Sequence, residues 1–500
     1  MQLSVTKSTR NMKDITNRLG KIQKQSLIKA LFVCIFLVHS FLTIRSVAPD
    51  GGAFITIASG ILEGRLPYVA YFDHKPPGIY FTVAAIFAVI QSVLAVKVLV
   101  LFANISTAYV IFHIGNSFYS HEVGLYSSLL YLISSPLYSG HLILTEPFLA
   151  LFGTLGLFYF CRSRSTNMFR DIFVAGIAIG ISAQYKQTGL LYLGAIGLSM
   201  IWFCYRDRKL TRFITESVVL ALGAALPFVL VTGVFYIEGG LSEYLELVYL
   251  IHLPGGSYAG DSLRRVVEGN FTNVMIFPLL WSLLLTGLFV IYRDRSPQHI
   301  VTILMVVVMV PSFAVRSYPH YYIQILPFVS LIAGISVEKF RCHCNYILEQ
   351  PIIRVLFLSF ILILSLPVGF HLATQSAITM KSQITFDQSI GDKIRQISSA
   401  DDKMIVLTSD AKYYYFADRE PPNKFIYYLP VNRDRFSTEN LITKIQSKNI
   451  DLALIHSCRD YVQEVCTTIR SEYILAFERN GISVYSSDVN QTSGTASLSS

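Results

Sequence analysis

Between positions 45 and 96 the chain gathers residues suited to chemistry: Asp50 in Ala48-Pro-Asp-Gly-Gly52, then Gly64-Arg65-Leu-Pro-Tyr68, then Tyr71-Phe-Asp73-His74-Lys75-Pro-Pro-Gly-Ile-Tyr80. An acid, a short helix and a basic residue stiffened by two prolines lie beside long apolar runs. Charges kept next to a bilayer cost several kcal/mol unless paired, solvated or used, so a working role outweighs a decorative one. A carboxylate can take a proton from an acceptor hydroxyl, and a nearby lysine can hold a phosphate whose charge grows as it leaves. That pairing suits group transfer from a phosphate ester. For Asp50 the plainer alternative is a cap on the helix that follows.

Other candidates lie farther along. Glu146, in Leu144-Thr145-Glu146-Pro147, stands at a predicted helix start, where the macrodipole alone would favour an acid. With Asp50 it could position an acceptor or bind a divalent cation through oxygen; no cofactor is certain. Lys186, Arg264, Arg265, Arg316 and His320 could add to a phosphate clamp, with headgroup contact as the plainer role of each.

What must position these residues follows from composition. Of 500 residues 53% are hydrophobic and 15% charged, against about 25% charged in soluble domains. Apolar runs occur at 27–44, 97–115, 123–143, 147–162, 171–187, 189–205, 212–236, 274–292, 299–315, 320–338 and 352–370, near the length that crosses a bilayer. They predict a polytopic α-helical membrane protein of about eleven spans. A β-barrel is excluded, because its segments would be shorter and would alternate in polarity.

The run 77–94 decides the topology. If it crossed, Arg162, Arg164 and Arg170, the cluster Arg206, Arg208, Lys209 and Arg212, and the pair Arg293 and Arg295 would all fall outside, against the positive-inside pattern. It is therefore read as an amphipathic helix on the outer surface. Six basic residues before the first run (Lys7, Arg10, Lys13, Arg18, Lys21, Lys24), with one acid, Asp14, make 1–26 a cytoplasmic segment and 27–44 a retained anchor. The membrane domain then covers 27–370, with its outer loop at 45–96, in a plasma membrane.

Beyond it, 371–485 reads as a small extracytoplasmic α/β domain, with strands at Met404–Thr408, Asp451–Ile455 and Gly481–Tyr485 and helices near Gln388–Ser398 and Thr438–Ser447. Its expected role is packing or acceptor binding. The tail 486–500, rich in Ser and Thr, is expected to be disordered. The net charge of +9 does not point to nucleic acid: residues 381–500 hold 14 Lys and Arg against 15 Asp and Glu, and no basic stripe with interleaved aromatics occurs. Cys458 and Cys466 share the outer domain, where a disulfide is permitted; Cys34, Cys161 and Cys204 read as small apolar residues of spans, and Cys342 and Cys344 as a weak metal motif.

The order of Asp50, Gly-Arg-Leu-Pro-Tyr68, Asp73-His-Lys75-Pro-Pro-Gly-Ile-Tyr80, Thr-Glu146-Pro, Lys186-Gln-Thr-Gly and Pro319-His320-Tyr321-Tyr-Ile-Gln-Ile-Leu-Pro327 resembles the prokaryotic GT-C glycosyltransferases. Among these it looks like the protein O-mannosyltransferase and lipid A aminoarabinose transferase superfamily. The resemblance covers 27–370, and Lys412-Tyr-Tyr-Tyr-Phe-Ala-Asp-Arg419-Glu-Pro-Pro is loosely similar to the outer domains of such enzymes. It implies inverting transfer of a sugar from a polyprenyl-phosphate donor to an acceptor on the outer side. Asp50 would be the base, Glu146 a second catalytic acid where many relatives carry Asp, and Lys75, Lys186, Arg316 and His320 the phosphate ligands; Arg65, Tyr68, Asp73, His74 and Tyr321 would line the cleft. Asp50 is followed by Gly51, where protein mannosyltransferases often have Asp-Glu, and the acceptor stays open among lipid, glycan and protein. A lipid-linked sugar flippase is the competing class, although no internal repeat marks a transporter; a receptor displaying the outer domain is a third.

Overall fold

The computed structural model describes residues 47–252, 262–294, 298–314, 316–347, 384–407, 409–429, 432 and 435–488, with a few helical positions between 33 and 42. In chain order the helices are α1 (Pro49–Leu62), α2 (Gly78–Val89), α3 (Val93–Phe118), α4 (His121–Leu137), α5 (Glu146–Thr166), α6 (Phe169–Tyr185), α7 (Leu190–Asp207), α8 (Leu210–Ile237), α9 (Leu241–Val248), α10 (Leu263–Ile276), α11 (Pro278–Asp294), α12 (Gln298–Met309) and α13 (Leu326–Ile347). Most of the predicted runs become these helices. Those at 352–370 and, for the most part, 27–44 lie outside the described residues.

Among the described residues three helical stretches are long and apolar enough to cross a membrane, Val93–Phe118, Gln187–Asp207 and Leu210–Ile237, or four if α10 and α11, bent by 91°, count as one. Proline interrupts two of the expected runs. Phe277 leaves helical geometry just before Pro278, and α12 stops at Met309, two residues ahead of Pro311, since the proline ring disfavours helix in the residue before it. Helix α2 has 12 residues, about 18 Å at 1.5 Å per residue and too short for a bilayer. It is apolar around its whole circumference rather than amphipathic: Ile79, Tyr80, Val83 and Phe87 are buried while Val89 is exposed.

Lipid-facing surface and protein core separate by residue type. Phe102 of α3, Leu222 and Val229 of α8 and Leu285 of α11 are exposed apolar side chains, which a bilayer would cover. Inside, Asn104 of α3 donates to the Gly140 carbonyl at 2.9 Å and accepts from Tyr131 of α4 at 3.0 Å. Such polar links join helices where no hydrophobic difference drives them together.

The C-terminal unit contains α14 (Ile384–Gln396), β1 (Met404–Leu407), α15 (Lys412–Ala417), α16 (Thr438–Gln446), β2 (Leu452–Ile455), α17 (Gln463–Glu472), β3 (Ile474–Arg479) and β4 (Ile482–Ser486), in a sheet of order β1-β2-β4-β3. β1 and β2 are parallel, pairing Met404 with Leu452, and both are wholly buried, as their unbroken apolar runs require. β3 and β4 form a hairpin over Asn480-Gly481, both at positive φ, the geometry that Asn-Gly favours. Strand β3 and helices α15 and α17 are additions to the predicted elements. Cys458 and Cys466 form a disulfide, with Cα atoms 6.3 Å apart.

This unit is seated on the helix that carries Asp50. Thr56 donates to the Ala411 carbonyl at 2.9 Å. A side chain at position 52 would meet the Lys412 backbone nitrogen at 2.8 Å, so only glycine permits the approach. The Phe72 amide donates to the Lys424 carbonyl at 2.7 Å, and Arg435 pairs with Glu246 at 2.7 Å.

Candidate active site

Helix α1 begins with proline, and Asp50 occupies its first turn without making a capping hydrogen bond. The macrodipole favours a negative charge there. Opposite it, the segment 73–75 is fastened from several directions before the two prolines. The amides of His74 and Lys75 donate to the Asp73 carboxylate at 2.6 and 3.4 Å. The Tyr68 hydroxyl donates to the Lys75 carbonyl at 2.6 Å, and Gln187 donates to the His74 carbonyl at 3.0 Å. With its backbone held, Lys75 extends its ammonium to 3.5 Å from Asp50, 3.8 Å from Asp73 and 5.2 Å from the Phe54 ring.

A second ion pair adjoins the first. Glu146 meets Lys186 at 2.7 Å and His320 Nε2 at 3.9 Å, and Thr145 donates to it at 3.1 Å. Lys186 also lies 3.4 Å from the Tyr321 ring centroid. The Glu146 side chain is 3% exposed against 42% for Asp50. Of the two acids, only Asp50 is exposed.

Electrostatics tie the pairs into one site. Burial within the protein walls pushes the Asp50 carboxyl up, but Lys75, then His320 and His74, outweigh burial and the opposing charge of Glu146, holding it below the ordinary aspartate value. Burial drives the His74 imidazole well below its ordinary pKa, with Lys75 and His252 adding to the effect. His320 is also lowered by burial, against the pull of Glu146. Both shifts favour the neutral imidazole, which offers hydrogen bonds. Arg316 acts electrostatically on His74 and His252.

The fold thus collects Asp50, Asp73, His74, Lys75, Glu146, Lys186, His320 and Tyr321, with Arg316 in electrostatic reach. It leaves out two residues expected in the cleft. Arg65 points to the seam with the C-terminal unit, pairing with Glu63 at 2.9 Å and with Glu420, because the chain turns away after α1. Tyr68 is 1% exposed; its hydroxyl is spent on the Lys75 carbonyl, so it positions that lysine from beneath. Arg264 pairs with Glu268 in full exposure. Gln187 and His252 were missed by sequence reasoning. Gln187 joins the His74 and Val248 carbonyls, the latter at 2.9 Å, and His252 packs edge-on to His74 at 5.6 Å. The Lys-Gln-Thr-Gly motif held the signal for Gln187; a lone His252 in a long loop held none.

Among the described residues no group of three or more His, Cys, Asp or Glu is arranged to hold a metal ion. Asp50 and Glu146, the pair considered for a divalent cation, each face a lysine instead. The donor set does not fit a resident cation.

Residues 74–232 match the family model described as dolichyl-phosphate-mannose-protein mannosyltransferase. The fold is similar to ArnT from Cupriavidus metallidurans bound to undecaprenyl phosphate, with TM-score 0.63 and 15% identity over 92% of this chain and 98% of that one. It is also similar to the archaeal oligosaccharyltransferase AglB from Archaeoglobus fulgidus in complex with an inhibitory peptide and a dolichol-phosphate, with TM-score 0.58 and 10% identity over 93% of this chain and 75% of that one. No curated protein matches the chain by sequence. The chain has the fold of the GT-C membrane glycosyltransferases, with a small C-terminal sheet-containing unit.

Proposed function

We propose that the protein transfers one sugar from a polyprenyl-phosphate donor to an acceptor hydroxyl on the extracytoplasmic face of the plasma membrane, with inversion at the anomeric carbon. The observation that carries this reading is the Asp50–Lys75 pair, 3.5 Å apart, in a fold shared with a protein solved with undecaprenyl phosphate and another solved with dolichol-phosphate.

The acceptor oxygen forms a bond to the anomeric carbon as the bond from that carbon to the phosphate oxygen breaks. Asp50 takes the hydroxyl proton, and the phosphate leaves with the bonding electrons as polyprenyl phosphate. That leaving group needs no proton at neutral pH, so a base and a cationic clamp suffice. Lys75 carries its charge on a flexible four-carbon arm, so the donor phosphate can draw it from Asp50 and free the carboxylate. Lys186, Arg316 and neutral His320 complete the clamp. Glu146, buried against Lys186, positions that lysine and is not a second base.

The Cys458–Cys466 disulfide supports an oxidising, outer location for the C-terminal unit. The acceptor class is lipid, glycan or protein. The test uses purified protein in liposomes, a radiolabelled polyprenyl-phosphate sugar and an acceptor extract. Covalent label transfer is expected, lost in Asp50→Asn. Movement of labelled lipid between leaflets without transfer would favour a flippase.

A further inference from the structure

Small-ligand pockets measure about 300–1,000 Å³, and a hollow of 560 Å³ opens at the seam between the far end of α1 and the C-terminal unit. Ser59 and Glu63 of α1 form one wall, and Tyr415, Asp418 and Glu420 another. Asp50 lies at the opposite end of α1. Nine to thirteen helical residues separate it from Ser59 and Glu63, about 14–20 Å at 1.5 Å per residue.

The walls are built rather than incidental. Gly60 lets the Tyr71 ring lie against α1 where a side chain would collide with it. The Tyr71 hydroxyl then accepts from Arg65 at 3.3 Å, and Arg65 bridges Glu63 to Glu420 across the seam. Tyr415 and Phe87, stacked at 5.3 Å, both line the hollow.

The chemistry of the walls selects the ligand. They are too polar for a lipid tail. Three carboxylates (Glu63, Asp418, Glu420) against Arg65 and the buried Arg419 leave nearly balanced charge, which attracts neither a phosphate nor a strongly cationic peptide. No metal-holding group is found among the described residues. Exposed carboxylates accept hydrogen bonds from paired hydroxyls, a guanidinium donates to ring and hydroxyl oxygens, and an aromatic ring packs against C–H groups.

From this hollow we infer a binding site for a neutral sugar residue, separate from the transfer cleft and placed to hold the distal part of an oligosaccharide acceptor. The acceptor role rests on the proposed transfer reaction; the sugar binding does not. The full chain in lipid nanodiscs would be tested by saturation-transfer NMR and calorimetric titration with mannobiose, cellobiose and lactose, alongside inorganic phosphate and a lysine-rich decapeptide.

At least one disaccharide is expected to bind saturably, equally in wild type and Asp50→Asn. Binding should weaken at least tenfold in Ser59→Trp, which fills the hollow, and several-fold in Glu63→Gln, whose exposed side chain makes misfolding a poor explanation. The inference is overturned if no disaccharide binds, if binding is unchanged in Glu63→Gln and Ser59→Trp, or if only phosphate or the peptide binds. Sugar binding without covalent transfer would remove the transfer reading and leave the site standing.

Discussion

Lys75 stands 3.5 Å from Asp50 and 3.8 Å from Asp73, so one ammonium serves an open carboxylate and a buried one. Asp73 is 1% exposed and also takes two backbone amides; it fixes the lysine's place. The Asp50 side chain is 42% exposed.

Removing the Asp50 charge should therefore abolish chemistry and spare the fold. In Asp50→Asn, label transfer in liposomes is expected to fall about a hundred- to ten-thousandfold, the usual worth of a general base, while membrane insertion and the melting temperature stay near wild type. Activity within tenfold of wild type would remove Asp50 as the base.

Glu146 should behave in the opposite way. Its side chain and that of Lys186 are 3% and 16% exposed, and losing one member of a buried pair costs about 3 kcal/mol. Glu146→Gln should lower the thermal midpoint in detergent. Glu146→Gln with Lys186→Met should recover much of that stability without recovering transfer, because the clamp lysine is gone.

The pH profile follows from the direction of the Asp50 shift. Its carboxyl is held below the ordinary value of about 3.9, so it stays ionised, and transfer should be flat from about pH 6 to 8, with an acid limb below about pH 4. Lys75→Ala removes the leading influence that lowers this pKa and leaves burial, which raises it. The residual activity of that variant should show its acid limb moved to higher pH. An unmoved limb would mean that another group titrates.

At the docking seam, Gly52→Val places methyl groups against the Lys412 backbone. Limited proteolysis should then cut between residues 384 and 488 faster than in wild type, with transfer reduced because α1, and Asp50 with it, loses its support. Unchanged cleavage would show that the contact is dispensable.

Reduction of the Cys458–Cys466 disulfide should be milder. Its sequence separation is 8, for which loop-closure entropy gives about 2.5 kcal/mol. Cys458→Ser should lower the stability of the C-terminal unit while transfer persists.

Much of this molecule was legible as text. Runs of apolar residues dictate helices because a backbone in lipid must satisfy its own hydrogen bonds. The unbroken apolar stretches of β1 and β2 mark them as strands, and Asn480-Gly481 carries a hairpin signal, but only the structure shows that β1 and β2 pair in parallel. Gly78–Val89 is a helix of 12 residues, apolar around its circumference where the amphipathic expectation required a polar face. Proline breaks at Pro278 and Pro311 shortened runs that hydropathy alone had taken as whole spans.

Local order determined that an acid, a proline-stiffened lysine and a second acid would occur near membrane ends; it did not determine which of them would meet. Residues 50, 75, 146, 186 and 320 converge only because α1, α5, two loops and the turn at Pro319–Gln324 end in one place. Tertiary packing alone buried Glu146 and left Asp50 open, giving two similar carboxylates different surroundings. It also turned Arg65 to Glu420, 355 positions away. Such pairings depend on distances through space, and the identity and spacing of residues along a chain do not encode those until the helices have packed.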